Sequence, residues 1–154
     1  MDKKPTGERS FEIDQVCLVV RDLEKMVGRL QDLANLGPFQ FKETDRPDAV
    51  VHGKKTHVRA KRAYTQAGPM ELELIEPGAG ENIYWEFLDS RGEGVHHFGI
   101  LVSDLDEELK RFKEKGIGVL HRSESARTRL AYMDTENALG VILELRQRKA
   151  APTS

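Results

Sequence analysis

Four polar side chains stand on otherwise apolar stretches of this 154-residue chain. Gln15 lies in Ile13-Asp14-Gln15-Val16-Cys17-Leu18-Val19-Val20, and Glu73 in Met70-Glu71-Leu72-Glu73-Leu74-Ile75-Glu76-Pro77. His97 lies in Gly94-Val95-His96-His97-Phe98-Gly99-Ile100-Leu101-Val102, and Glu144 in Gly140-Val141-Ile142-Leu143-Glu144-Leu145. A carboxylate on such a strand is costly unless it is paired, hydrogen-bonded or bound to a metal. One imidazole nitrogen, two carboxylate oxygens and one amide oxygen make a mixed N/O donor set for a divalent cation. Positions left open on that cation would take water or substrate, as metal-assisted chemistry requires. Each residue alone has a plainer reading: an edge-capping Gln, a satisfied core His, glutamates on the solvent faces of half-buried strands. What favours a metal site is that the four fall at equivalent places of an internal repeat.

The repeat is read from two strand-to-helix junctions. Both Arg21-Asp22-Leu23 and Ser103-Asp104-Leu105 end an apolar run and open a helix, at an offset of 104 − 22 = 82. The same offset lays Gln15 on His97 (97 − 15 = 82). Around the first junction, residues 13–20 predict a buried strand with Ile13, Gln15, Cys17 and Val19 on one face. Asp22 is a good helix N-cap, and Leu23, Met26, Val27, Leu30, Leu33 and Ala34 recur at helical spacing until Gly37-Pro38. A short strand at Phe39-Gln40-Phe41, a mobile loop over 44–56, a weak cationic strand over 57–64 and a clear alternating strand over 70–77 follow. Leu72 and Leu74 would face the helical layer, with Glu71, Glu73 and Ile75 opposite. After a short helix within 81–90 the order recurs: a strand over 95–102, a helix from Asp104 with Leu105, Leu109 and Phe112, and strands near Val119-Leu120, over 130–133 and over 141–145. Each half is a βαβββ unit, which makes the fold α+β, two modules sharing a cleft-lined mixed sheet. The domain is expected over 11–147, with module 1 about 11–78, a linker helix in 79–93, module 2 about 94–147, and flexible tails at 1–10 and 148–154.

Composition sets the outer limits. The hydrophobic fraction is 38%, the charged fraction 32%, and the formal net charge −2, so no basic field points to nucleic acid. No apolar run reaches the length of a bilayer span, and the polar start Met1-Asp2-Lys3-Lys4-Pro5 lacks a signal-peptide core, so no membrane partner and a cytoplasmic location are expected. The single cysteine, Cys17, reads as a small core residue.

Over about residues 11–147 the pattern resembles the vicinal oxygen chelate superfamily, also called the glyoxalase/bleomycin-resistance fold. The segments quoted above carry the resemblance. Gly94 to Leu105 and Ala131-Tyr132-Met133-Asp134-Thr135-Glu136 are most similar to its methylmalonyl-CoA epimerase branch. The resemblance implies metal ligands at Gln15, Glu73, His97 and Glu144, a divalent ion such as Zn, Ni, Co or Mn, and a packing or supporting role for His96. It also implies a homodimer. The chain departs from the epimerase branch in two ways. The first-strand ligand is usually His there and is Gln15 here, and the Gln, Glu, His, Glu set is instead similar to that of eukaryotic glyoxalase I. Epimerases also use an extra glutamate on the third strand, where this chain offers Arg59, Lys61 and Arg62.

The expected activity is therefore that of a metal-dependent isomerase or epimerase, with Glu144 as the base taking a proton next to a carbonyl. Arg59 or Lys61 would bind a carboxylate, phosphate or CoA group, although a solvated strand face accounts for them equally well. Trp85, with Tyr84 and Phe87, would wall the cleft. The substrate would be a small molecule, an acyl-CoA or a thiol adduct. A glyoxalase I-like lactoylglutathione lyase is the alternative that Gln15 favours. A non-catalytic binding protein of the antibiotic-resistance type is a further one, marked by loss of the ligand set. Ring-cleaving dioxygenase chemistry is disfavoured, because its iron triad needs two His and a carboxylate.

Overall fold

The computed structural model describes residues 11–151 and 153; the expected tail at 1–10 lies outside them. The first half comprises β1 (Ile13–Val19), α1 (Leu23–Ala34), β2 (Gln40–Val51), β3 (Lys54–Ala67) and β4 (Met70–Pro77). Helix α2 (Ile83–Arg91) leads to the second half: β5 (Gly94–Leu101), α3 (Leu105–Glu114), β6 (Val119–Glu124), β7 (Thr128–Met133), the short α4 (Glu136–Leu139) and β8 (Ile142–Arg148). The strands close a barrel in the order β1-β4-β3-β2-β6-β7-β8-β5. β1 runs parallel to β4 and β5 parallel to β8, while the other neighbours are antiparallel. The two βαβββ modules of the sequence are thus present as an α+β fold.

The modules meet along two seams. In the first, Val16 of β1 lies opposite Phe98 of β5, flanked by the pairs Gln15↔Gly99 and Cys17↔His97. The repeat offset sends Val16 to Phe98 (98 − 16 = 82) and exchanges the two flanking pairs, so the local twofold passes through Val16 and Phe98. In the second seam, β2 meets β6 only at Val50↔Arg122 and Val51↔His121, and the barrel parts along the remainder of β2.

Alternation sorts the side chains into an inside and a helical layer. Leu23, Val27 and Met26 of α1 pack on Val20, Ala63 and Leu74, while Leu105, Leu109 and Phe112 of α3 pack on Ile100, Ala131 and Leu145. The helix starts match across the repeat, since Asp22 accepts from the Lys25 amide and Asp104 from the Glu107 amide, both at 3.0 Å. Leu33 departs from its expected burial and is 82% exposed. Residues 31–35 are exposed throughout, and α1 ends at Asn35 in the left-handed region, two residues before Gly37.

The segment 44–56 is not a loop. It forms a long hairpin in which β2 and β3 pair from Gln40↔Tyr64 to Val51↔Lys54. Pro47 falls within a register shift between Arg46 and Ala49, which lets a residue without an amide hydrogen sit in the strand. The turn residues His52 and Gly53 both have positive φ, 48° and 78°, as a two-residue hairpin turn requires. The polar residues that signalled a loop are cross-strand partners: Asp45 pairs with His57 and Arg59, and Asp48 with Lys55. At the other end, β8 runs through Arg148 and the Lys149 amide donates to Arg127 O at 2.8 Å, so the strand outlasts the expected boundary at 147.

Two glycines test this account in opposite directions. A Cβ on Gly28, mid-helix in α1, meets nothing within 4 Å. Gly28→Ala should raise stability by about 0.5–1 kcal/mol in urea denaturation. A Cβ on Gly99 would approach Gln15 Cβ and Oε1 at 2.9 Å. Gly99→Ala should lower stability by about 1–3 kcal/mol, and a neutral result would contradict the close approach of β1 and β5.

Candidate metal centre and its cavity

Register brings the four candidate residues together. The β1–β4 pairing sets Glu73 beside Cys17, the β5–β8 pairing sets Glu144 beside Gly99, and the first seam sets Cys17 against His97. All four side chains point into the barrel and are almost fully buried: Gln15 at 4%, Glu73 at 2%, His97 at 0% and Glu144 at 3% exposed.

Three of the four present a buried atom with no hydrogen-bond partner: Gln15 Oε1, His97 Nε2 and Glu144 Oε2. His97 Nε2 and Glu144 Oε2 are 2.7 Å apart, an ion-pair distance without the alignment of a hydrogen bond. Two polar atoms this close that make no aligned hydrogen bond are placed as neighbouring ligands of one small cation would be. The Gln15 amide is oriented by its other end, since Nε2 donates to Glu71 Oε1 at 2.8 Å and leaves Oε1 free. Gly99 gives that oxygen its room. One imidazole nitrogen, one carboxylate and one amide oxygen, all unsatisfied, fit a divalent cation.

The other nitrogen of His97 is also engaged. Nδ1 lies 2.9 Å from His96 Nδ1, so one ring donates and the other accepts. Burial, helped by His97 and His121, holds His96 well below the usual imidazole range, and it is neutral. If Nε2 of His97 keeps its lone pair for a cation, Nδ1 carries the proton and His96 is the acceptor, the orienting partner that metal-ligating histidines use. The rings of Tyr84, Phe87 and Tyr132 pack around His96 with centroids 5.0–5.9 Å away.

Glu73 differs from the other three. Its Oε1 accepts from Nη1 of Arg62, which reaches inward from β3. Arg62 also donates from Nε to Thr44 Oγ1 at 3.1 Å and from Nη2 to the Tyr84 hydroxyl at 3.2 Å. Tyr84 in turn meets the Tyr132 hydroxyl at 2.9 Å. Burial, with the neighbouring Glu144 charge, pushes the Glu73 carboxyl up against the pull of Arg62. Burial also acts to raise Glu144, but His97, Arg146 and Arg62 outweigh it and hold Glu144 below the usual carboxylate range. Cys17 Sγ lies within 4.8 Å of ligand atoms of Glu73 and His97. Burial and the Glu73 charge push its thiol well up, so it is protonated and packs as a core residue.

The centre opens on a cavity of about 480 Å³ whose walls include Gln15, Arg62, Glu73, Tyr84, Tyr132 and Glu144. The remaining sequence candidates lie elsewhere. Arg59 and Lys61 point outward from β3 with side chains 58% and 51% exposed, and each pairs with a carboxylate 3.6 Å away, Asp45 and Glu76. Trp85 is turned from the cavity; its Nε1 donates to Gly78 O at 2.7 Å and its ring packs against the barrel core. The cations that do face the cavity are Lys42, Arg46, Arg62, Arg127 and Arg146. Arg62 and Tyr64 share the inward face of β3 with the buried Val58 and Ala60, and that apolar phase was the available signal for them. His121, buried at the second seam, carries an orphaned Nδ1 and is pushed down to about 4 by burial and by Arg62.

Residues 14–148 match the family model of the glyoxalase/bleomycin resistance protein/dioxygenase superfamily, and the chain belongs to that superfamily. Among curated proteins it is 30% identical over 90 residues to the uncharacterized protein YqjC of Bacillus subtilis (strain 168), covering 56% of this chain and 64% of that protein. A hypothetical protein, BH1468 from Bacillus halodurans C-125, superposes with a TM-score of 0.67 at 22% identity over 95% of this chain and 100% of its own. Methylmalonyl-CoA epimerase from Mycobacterium tuberculosis does so with a TM-score of 0.65 at 21% identity, over 89% of this chain and 87% of its own. At such identities the structural likenesses speak for the fold. No helix among the described residues is long and apolar enough to cross a membrane.

The His96–His97 pair gives a direct test. His96→Phe would strand the buried His97 Nδ1, and we expect a loss of about 1–3 kcal/mol in urea denaturation, the cost of an unsatisfied buried donor. No loss would mean that the ring serves packing alone.

Proposed function

We propose that this chain is a divalent-metal enzyme that removes a proton next to a carbonyl, an isomerase or epimerase of the methylmalonyl-CoA epimerase kind. The observation that carries the reading is the trio of orphaned ligand atoms, Gln15 Oε1, His97 Nε2 and Glu144 Oε2, of which Gln15 and Glu144 line an open cavity and His97 lies buried beside Glu144. A cation bound there would supply the positive charge that stabilises an enolate. Glu144 is the proposed base: it lines the cavity, and the guanidinium groups of Arg146 and Arg62 favour its ionised form. The His96 contact holds the His97 ring in place, and the hydroxyls of Tyr84 and Tyr132, both raised by burial, stay neutral. Among the described residues Lys42, Arg46 and Arg127 make no ion pair, and they face the cavity. They replace Arg59 and Lys61 as the groups for an anionic substrate, an acyl-CoA in this reading. The homodimer belongs to the same proposal, supported by the exposed apolar side chains of Ile13, Val95 and Leu101 on β1 and β5.

A lyase of the glyoxalase I kind is the second reading. It is favoured by the amide oxygen of Gln15, turned free side inward where an imidazole would stand in the epimerase branch. Turnover of methylmalonyl-CoA, compared with the hemithioacetal of methylglyoxal and glutathione, separates the two.

On whichever substrate turns over, Glu144→Gln should lower kcat by about 10²–10⁴-fold. Treatment with a chelator should abolish turnover, and added divalent metal should restore it. Unchanged turnover of Glu144→Gln would sink the assignment of the base.

A further inference from the structure

We propose that Arg62 is an internal counter-cation that withholds Glu73 from the metal, leaving Gln15, His97 and Glu144 as the ligand set. The inference rests on the metal site proposed above and changes its composition. The repeat supplies the comparison. Glu73 is paired across strands with Tyr64 and Glu144 with Tyr132, so the two tyrosines are equivalent at an offset of 132 − 64 = 68. Arg62 then falls on Leu130 (130 − 62 = 68). One half places a guanidinium beside its glutamate, and the other places an aliphatic side chain there.

The consequences for the two carboxylates are visible. Glu144 keeps an oxygen without a hydrogen-bond partner next to His97 Nε2, whereas Glu73 is bonded to Arg62. Arg62 is not a loose partner: Thr44 and Tyr84 hold its other two nitrogens, and its side chain is only 14% exposed. Moving Glu73 onto a cation would leave that guanidinium buried without a counter-charge, and breaking a buried pair in this way is strongly unfavourable. Only Oε1 of Glu73 is bonded to Arg62, but a cation at its other oxygen would face the guanidinium across one carboxylate, and the two positive charges repel at short range, which weakens Glu73 as a ligand. The resulting centre has one carboxylate instead of two, binds its ion more weakly, and keeps more coordination positions for water or substrate.

The test is cation binding by the metal-free full chain, titrated with Co²⁺ in a calorimeter and followed in parallel by the visible absorption of Co²⁺. The decisive variant removes both partners, Arg62→Leu with Glu73→Leu, because replacing a buried ion pair by apolar groups of similar volume is well tolerated. It should bind within about threefold of the unaltered chain and with the same Co²⁺ spectrum, whereas Glu144→Gln should lose about 100-fold or more. Should Arg62→Leu disturb folding, Arg62→Gln with Glu73→Leu makes the same comparison. A double variant that loses as much affinity as Glu144→Gln overturns the inference and leaves the metal site standing with four ligands. No Co²⁺ binding by the unaltered chain overturns the inference and the metal site together.

Discussion

β1 and β5 lie antiparallel where the modules join, and their register, with Val16 opposite Phe98, decides which side chains meet inside the barrel. A slip by one residue would turn Gln15, Cys17 and His97 to the helical layer and bring Val16 and Phe98 inward. Two features pin the register. Small residues, Cys17 and Gly99, stand opposite the larger His97 and Gln15, so neither long side chain meets another across the seam. The outward residues Val20 and Ile100 are taken up by the helix-facing clusters of their own modules. Positioning of the donors is therefore a property of strand pairing and not of loops, which is the more rigid way to hold a ligand set.

Burying so many polar groups in one barrel is costly, and the interior is arranged around that cost. Glu73 has Arg62, Asp14 has Arg146, and Gln15 has Glu71. Those pairs leave Glu144 beside a histidine, with oxygen and nitrogen atoms facing each other and unsatisfied. In a structural core such atoms would be bonded or replaced by apolar groups. Their retention beside a cavity that Glu144 lines is why they read as a place for a ligand.

The reach of the sequence can be followed residue by residue. The repeat, the two aspartate caps and the inward face of Glu71, Glu73 and Ile75 were legible because each depends on local pattern: period two along a strand, or a cap one residue before a helix. The hairpin of β2 and β3 was hidden, because Asp45, Asp48 and Lys55 are poor strand formers singly and become acceptable only as cross-strand partners. The same long-range dependence hid the cavity's cations. Arg59, Lys61 and Arg62 are near neighbours in sequence, and only the phase of β3 separates the outward pair from the inward one. His121 and Tyr132 could not have been joined to the site from spacing, since the turn between β6 and β7 and a register shift set their approach.

The two halves are alike in backbone and unlike in chemistry, and the differences lie at paired positions. Gln15 stands where the second module has His97, and Arg62 where it has Leu130. Both differences reduce what the first module offers a cation: an amide in place of an imidazole, and a carboxylate already neutralised. The residues proposed as the stronger donors, His97 and Glu144, both come from the second module, on the adjacent parallel strands β5 and β8. In the proposed reading, His97 and Glu144 of β5 and β8 would hold the cation with Gln15 of β1. Lys42 and Arg46 stand on β2 by the parted seam between β2 and β6, so an anionic molecule entering there would meet the cations before it met the metal. Asymmetry between the repeats thus gives the proposed site two unlike sides, with the cations Lys42 and Arg46 of β2 on one and the candidate metal donors of β5 and β8 on the other.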